Sequence, residues 1–248
     1  MSSAPVISLD RVTFRFGQFV ALADVSLHIG MGQRVALVGS SGAGKSTLIR
    51  LMNGTLQPTQ GEIRAFGQEL SQLKPQRLRQ IQRQIGTIYQ QLHLVDNLRV
   101  IHNVNAGHLG RWSFWKALIS LVVPLDLPTA TNALTQVGIL EKLYERTDRL
   151  SGGQQQRVAI ARVLVQDPLV ILADEPISSL DPQLSRDVME LLCQICEPSN
   201  RSLVVSLHNI EFALRYCDRI IALRHGRLLF DAPTGSVSNE MIADLYRL

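Results

Sequence analysis

Apolar residues alternate from the start of the chain. The stretches "VISLDRVTFRFG" and "ALADVSLHIG" repeat an apolar residue at nearly every second position and end in glycine. That pattern predicts two antiparallel strands with glycine turns. "RVALVG" is a short apolar run, which predicts a buried strand. It leads directly into "SSGAGKSTLIRLMNG", a glycine loop followed by a helix ending near Gly54, and "GEIRAF" and "QIGTIYQ" are further strand candidates. From Leu92 to Gln166 strand signals vanish and helical patterns dominate, as in "TATNALTQVGI" and "QQQRVAIARVLVQ". After Pro168 strands return. "LVILADE" and "SLVVSLH" read as buried strands on either side of "DPQLSRDVMELLCQIC", a helix with Asp181 at the N-cap and Pro182 at its first position. "RIIALRHGRLLFDA" predicts a hairpin turning at His225-Gly226.

Strands alternating with helices predict an α/β fold with a mostly parallel, covered sheet. An antiparallel β subdomain precedes it and a helical insertion interrupts it. The expected organisation is a single domain over 1–248, with a core formed by 1–91 and 167–248 and a helical subdomain over 92–166.

Composition narrows the class. With 248 residues, 46% of them hydrophobic, the chain can bury a substantial core. The longest apolar run, "FWKALISLVVPLDLP", is broken by Lys116, Pro124 and Asp126 and is too short to span a bilayer. "MSSAPVISLD" lacks a charged leader and a long apolar core, so it does not read as a secretory signal. Cys193 and Cys196 have C-x-x-C spacing, but they lie in a helical pattern with no second ligand pair. They read as structural. The net charge is +4, with no block of like charges. The densest basic run, Lys74, Arg77, Arg79 and Arg83, reads as the solvated face of a helix, and no nucleic-acid partner is expected.

Two segments carry recognisable chemistry. "GSSGAGKS", Gly39 to Ser46, fits G-x-x-x-x-G-K-[ST] between a strand and a helix. The loop Gly39, Ser40, Ser41, Gly42, Ala43, Gly44, together with Lys45, Ser46 and Thr47, is assigned to nucleotide binding. Backbone N–H groups curl around phosphate oxygens, Lys45 faces the β/γ-phosphates and the Ser46 hydroxyl can ligate Mg²⁺. Asp174 ends the apolar strand "LVILA", where it can hold the Mg²⁺ shell, and Glu175 follows at a position suited to polarise water as a general base. The stretch "LSGGQQQRVAIARVL" poses a separate question. Ser151 and Gln154 form a capping box, but the box leaves Gly152 and Gly153 unexplained. Paired glycines at a helix N-terminus suit a close backbone approach by an anion.

These motifs together resemble the ATP-binding-cassette ATPases, the hydrolysing subunits of membrane transporters. "LSGGQ" matches the family signature at every position. In that family two copies pair head to tail, so the resemblance implies that Ser151, Gly152, Gly153 and Gln154 meet the γ-phosphate of ATP held by the partner. It further implies that Phe16 stacks on adenine; taken alone, Phe16 also fits a core strand position. Gln90 is implied in the Mg²⁺ and water shell, with Gln91 beside it as the same residue type. Asp181 is implied to contact the opposite subunit, compatibly with its cap role, and His208 to hold the γ-phosphate. His28, His93, His102, His108 and His225 match nothing and read as structural. Catalysis would rest on Glu175, His208 and Lys45, and the metal on Ser46, Gln90 and Asp174, with ATP and Mg²⁺ as cofactors. One cassette without a membrane span resembles the bacterial binding-protein-dependent importers, and within them those for phosphonates or a related phosphorus oxyanion such as phosphite or a phosphate ester. The implied partners are a second cassette, in a homodimer, integral permease subunits and an extracytoplasmic binding protein, placing the chain at the cytoplasmic face of the inner membrane. The rival reading is a cytosolic motor, such as a subunit of a phosphonate-cleavage assembly.

Overall fold

A computed structural model describes residues 4–120, 123, 125–197 and 199–247. The elements run β1 (Ile7–Phe16), β2 (Phe19–Ile29), β3 (Arg34–Val38), α1 (Lys45–Met52), β4 (Gln60–Ala65), β5 (Gln68–Glu69), α2 (Pro75–Arg83), β6 (Ile85–Ile88), α3 (Val100–Asn105), α4 (Phe114–Ser120), α5 (Leu127–Gln136), α6 (Gly152–Gln166), β7 (Val170–Ala173), α7 (Pro182–Cys196), β8 (Ser202–Leu207), α8 (Ile210–Tyr216), β9 (Arg219–Arg224), β10 (Arg227–Pro233) and α9 (Asn239–Tyr246).

The alternating N-terminal segments form an antiparallel sheet in the order β2-β1-β4-β5. The second sheet has the order β10-β9-β3-β8-β7-β6, and every pair from β9 to β6 is parallel. The expected mixed α/β architecture is therefore present. β3 is apolar at successive positions because both its faces are covered. Ala36 and Val38 enter one apolar cluster, Val35 and Leu37 the other. The first of these clusters continues from the sheet into α3, α5 and α6 through Val104, Leu134 and Val158. Between 92 and 166 the described α-helices are α3 to α6, and no described strand falls there.

Local signals act as expected. Asp181 Oδ1 accepts from the backbone N–H groups of Gln183 and Leu184 and starts α7. The β9–β10 turn places His225 and Gly226 at φ +49° and +73°, the left-handed pair such hairpins need. Helices α8 and α9 are too short to stand out by periodicity, yet each has a side-chain cap, from Asn209 and Ser238. Cys193 and Cys196 are buried on α7. Burial pushes both thiols up, Cys196 to about 12, and keeps them protonated.

Candidate functional site

The sheet gathers the chemistry. β6, β7, β8 and β3 run in one direction, so their C-terminal ends share one edge, where open α/β sheets bind ligands. From β3 the chain enters the loop Gly39–Gly44, from β7 it reaches Asp174 and Glu175, from β8 His208, and from β6 Gln90. Residues up to 128 positions apart in sequence meet there through hydrogen bonds.

Glu175 lies at the centre. Its Oε1 is 2.6 Å from His208 Nε2 and 3.9 Å from Lys45 Nζ. Its Oε2 accepts from Gln90 Nε2 at 2.9 Å. The structure thus brings Gln90, rather than Gln91, onto Glu175. Glu175 has φ +49°, unfavourable for a residue with a Cβ. The strain is contained on both sides. Its N–H donates to Ser206 Oγ at 2.8 Å, and Ser178 Oγ donates to its carbonyl at 3.1 Å.

Asp174 is buried. Its Oδ1 accepts from Ser46 Oγ at 3.0 Å and from Ser206 Oγ at 2.9 Å. No ion pair joins it among the described residues. A buried carboxylate flanked by hydroxyls suits a hard cation. Among the described residues no three His, Cys, Asp or Glu side chains converge as a metal cage.

Lys45 is 4% exposed, and its Nζ donates to the Gly39 and Ser40 carbonyls at 2.8 and 3.1 Å. Burial lowers its pKa; Glu175 and Asp174 pull the other way. The loop's glycines are demanded by the backbone. A Cβ on Gly39, at φ +155°, would lie 2.4 Å from the Leu223 carbonyl oxygen. One on Gly44, at φ +102°, would lie 2.7 Å from Leu22 Cδ2. Gly42 has φ +78°. Ser40 and Ser41 are exposed, Ala43 is buried, and Thr47 is half-buried on α1.

Leu22 belongs to the β1–β2 hairpin, whose tip pairs Phe16 with Phe19. Phe16 is 51% exposed and stacks edge-on against Phe14, so it is not a core residue. Phe19, 66% exposed and opposite it, is a second available ring that its place in an alternating strand concealed.

The N-terminus of α6 confirms the capping box. Ser151 N donates to Gln154 Oε1 at 3.0 Å, and Gln154 N donates to Ser151 Oγ at 3.4 Å. A Cβ on Gly153 would touch Leu184, but one on Gly152 would meet no atom within 4 Å. Gly152 lines a cleft of about 290 Å³ with Gln90 and Glu175. Phe16, Ser151 and Asp181 have no hydrogen bond or ion pair to the Glu175 group among the described residues.

Two positioning residues escaped the sequence reading. Ser206 holds both Asp174 and the Glu175 backbone, and its only signal was a hydroxyl inside an apolar strand. Tyr246 on α9 donates to the His208 carbonyl at 2.8 Å, a contact between distant segments that no local pattern announces.

The ABC transporter family model matches residues 22–178. The chain is 46% identical over 230 residues to the phosphonates import ATP-binding protein PhnC of Cupriavidus pinatubonensis, covering 91% of this chain and 82% of that one. A relative of the same description from Anaeromyxobacter dehalogenans is 45% identical over 98% of this chain, which spans only 48% of that protein's length. A dimeric post-hydrolysis ATP-binding cassette bound to ADP and Pi superposes with a TM-score of 0.80 at 31% identity, covering 92% of this chain and 98% of that chain. With its phosphate loop, paired carboxylates and signature helix all on the matched fold, the chain belongs to the ABC transporter family as one of its nucleotide-binding ATPase cassettes.

Proposed function

We propose that this chain hydrolyses ATP to drive import of phosphonates or a related phosphorus oxyanion. The observation that carries the ATPase chemistry is the hydrogen-bonded group at one sheet edge, Gln90–Glu175–His208, with Lys45 beside it. The substrate class rests on the relatives described as phosphonates import ATP-binding proteins.

ATP lies along Gly39–Thr47 with its adenine on Phe16. Lys45 exchanges its two carbonyl contacts for β/γ-phosphate oxygens. Ser46, Asp174 and Gln90 would hold Mg²⁺, which would supply neutralisation of phosphate charge. Glu175 orients a water and takes its proton as the water oxygen bonds to the γ-phosphorus and the bond to the β-phosphate oxygen breaks. His208 holds the γ-phosphate and keeps Glu175 in place. Gly152 supports a head-to-tail pairing, since nothing in its own chain requires a glycine there. Ser151 Oγ already accepts from Gln154 and retains its proton to donate. Asp181 meets the partner cassette across the same junction. The segment 92–166 acts as a helical unit that passes the closure to permease subunits in the inner membrane, fed by an extracytoplasmic binding protein. Among the described residues no helix is long and apolar enough to cross a membrane.

The test is initial uptake of a labelled alkylphosphonate in cells lacking this chain, with downstream breakdown blocked. Uptake restored by wild type and not by Glu175→Gln is the expected result. Uptake indifferent to the chain, with phosphite and phosphate equally indifferent, overturns the importer reading in favour of a cytosolic motor.

A further inference from the structure

Helix α9 ties two strand ends together. Ser238 caps it, its Oγ accepting from Met241 N at 3.2 Å, and Leu245 is buried in the same apolar cluster as Leu207 of β8. Near its C-terminal end the Asp244 carbonyl accepts from Arg224 Nη1 at 2.9 Å. Arg224 closes β9 and leads into the His225-Gly226 turn, where the Gly226 N–H donates to the Ala43 carbonyl of the phosphate loop at 3.2 Å. Just past Asp244, the Tyr246 hydroxyl donates to the His208 carbonyl at 2.8 Å. The helix joins the turn that abuts the phosphate loop to the residue that follows β8.

His208 is otherwise loosely held. It lies beyond Leu207, the last paired residue of β8. Its side chain is 44% exposed and borders a cavity of about 380 Å³ together with Glu175 and Phe212, so close packing does not fix the ring. Among the described residues the ring has one polar partner, Glu175 Oε1 at 2.6 Å, and the carbonyl accepts one hydrogen bond, from Tyr246. A backbone rotation that moved the ring by about 1 Å would end that contact as a good hydrogen bond.

We propose that Tyr246 is a positioning residue for ATP hydrolysis, which keeps the imidazole of His208 seated on Glu175 by holding the His208 carbonyl. This role rests on the one proposed above for His208, holding the γ-phosphate. The hydroxyl has little to do for α9 itself, which the Ser238 cap, buried Leu245 and Arg224 already fix. Tyr246 is 47% exposed, so its ring adds little to the core. What the hydroxyl does fix is the peptide plane of His208, and the rotamers open to a side chain depend on its backbone angles.

Tyr246→Phe deletes the hydroxyl alone. The full chain, with its six histidines isotope-labelled, gives a set of ring resonances by NMR, and His208→Gln assigns those of His208. In Tyr246→Phe the His208 ring resonances should move while the others stay. Single-turnover hydrolysis of bound ATP should slow about fivefold, the size of one lost hydrogen bond, with ATP affinity unchanged. Unmoved His208 resonances, wild-type hydrolysis by Tyr246→Phe, or a loss of ATP affinity that matches the loss of rate each overturns the proposal. The ring resonances need no nucleotide and decide it independently of turnover. A His208→Gln chain that hydrolyses ATP like wild type removes the role of His208, and the proposal with it. A slow His208→Gln beside a normal Tyr246→Phe leaves that role standing and removes the proposal alone.

Discussion

Two helices of this chain are entered through glycines, and for different reasons. At the start of α1, Gly39 and Gly44 sit at positive φ with backbone or core atoms where a Cβ would stand. The chain itself demands them. At the start of α6, Gly152 has an ordinary φ, a complete capping box around it and open space where its Cβ would be. The chain gains nothing from it and forgoes up to about 1 kcal/mol of helix propensity. One helix start is filled by its own chain. The other leaves open space beside its first residue, and the same contrast separates the hydrogen-bonded Glu175 cluster from the outward-facing α4.

Mutation can break this comparison at several levels. The largest effect belongs to Glu175→Gln, expected to lower turnover by about 10²–10⁴-fold while ATP binding persists and a long-lived dimer accumulates. Size-exclusion with ATP reads the dimer, and rapid turnover by this variant would refute the general-base role. Gly44→Ala should cost about 2–4 kcal/mol in denaturant unfolding, because Leu22 and a strained φ both oppose a methyl group. Ser206→Ala should cost about 1–3 kcal/mol by taking a hydroxyl from buried Asp174, and hydrolysis should require more Mg²⁺. Gly152→Ala separates the two helix starts most sharply. Stability should stay level or rise by up to about 1 kcal/mol, yet ATP-dependent dimerisation should fall. A destabilised but fully active Gly152→Ala would mean that the glycine serves its own chain. The smallest effect lies far from the site. The bidentate Arg34 guanidinium holds Asp218 below the usual carboxylate range. A lowered folded-state pKa stabilises above the unfolded value of about 3.9 and loses that contribution as pH falls through the folded one. Asp218→Asn should flatten this acid limb, by less than about 1 kcal/mol since half the carboxylate faces water.

Much of the fold and of the site was legible because the signals were local. A phosphate loop is a run of neighbouring residues, so "GSSGAGKS" can be singled out from its own spacing. The same holds for the α6 capping box and the Asp181 cap. Ser206, Tyr246 and Phe19 were not legible. Each matters through what it faces, and a serine in an apolar strand, a tyrosine near the chain end and an aromatic in an alternating strand look ordinary in a line of letters. Gln90 and Gln91 differed in nothing until the end of β6 aimed one at Glu175.

Taken alone, the sequence determined the alternation of the main strands and helices, the candidate phosphate loop and carboxylate pair, and the family, since all are written in residues close along the chain. Only the tertiary structure decided which side chains share a hydrogen bond, a carboxylate or a cleft. Parallel pairing carried the ends of β3, β6, β7 and β8 to one edge, and packing left Gly152 and the apolar arc of α4 facing out. Those outcomes depend on which distant surfaces bury one another, and no short window of sequence contains both partners.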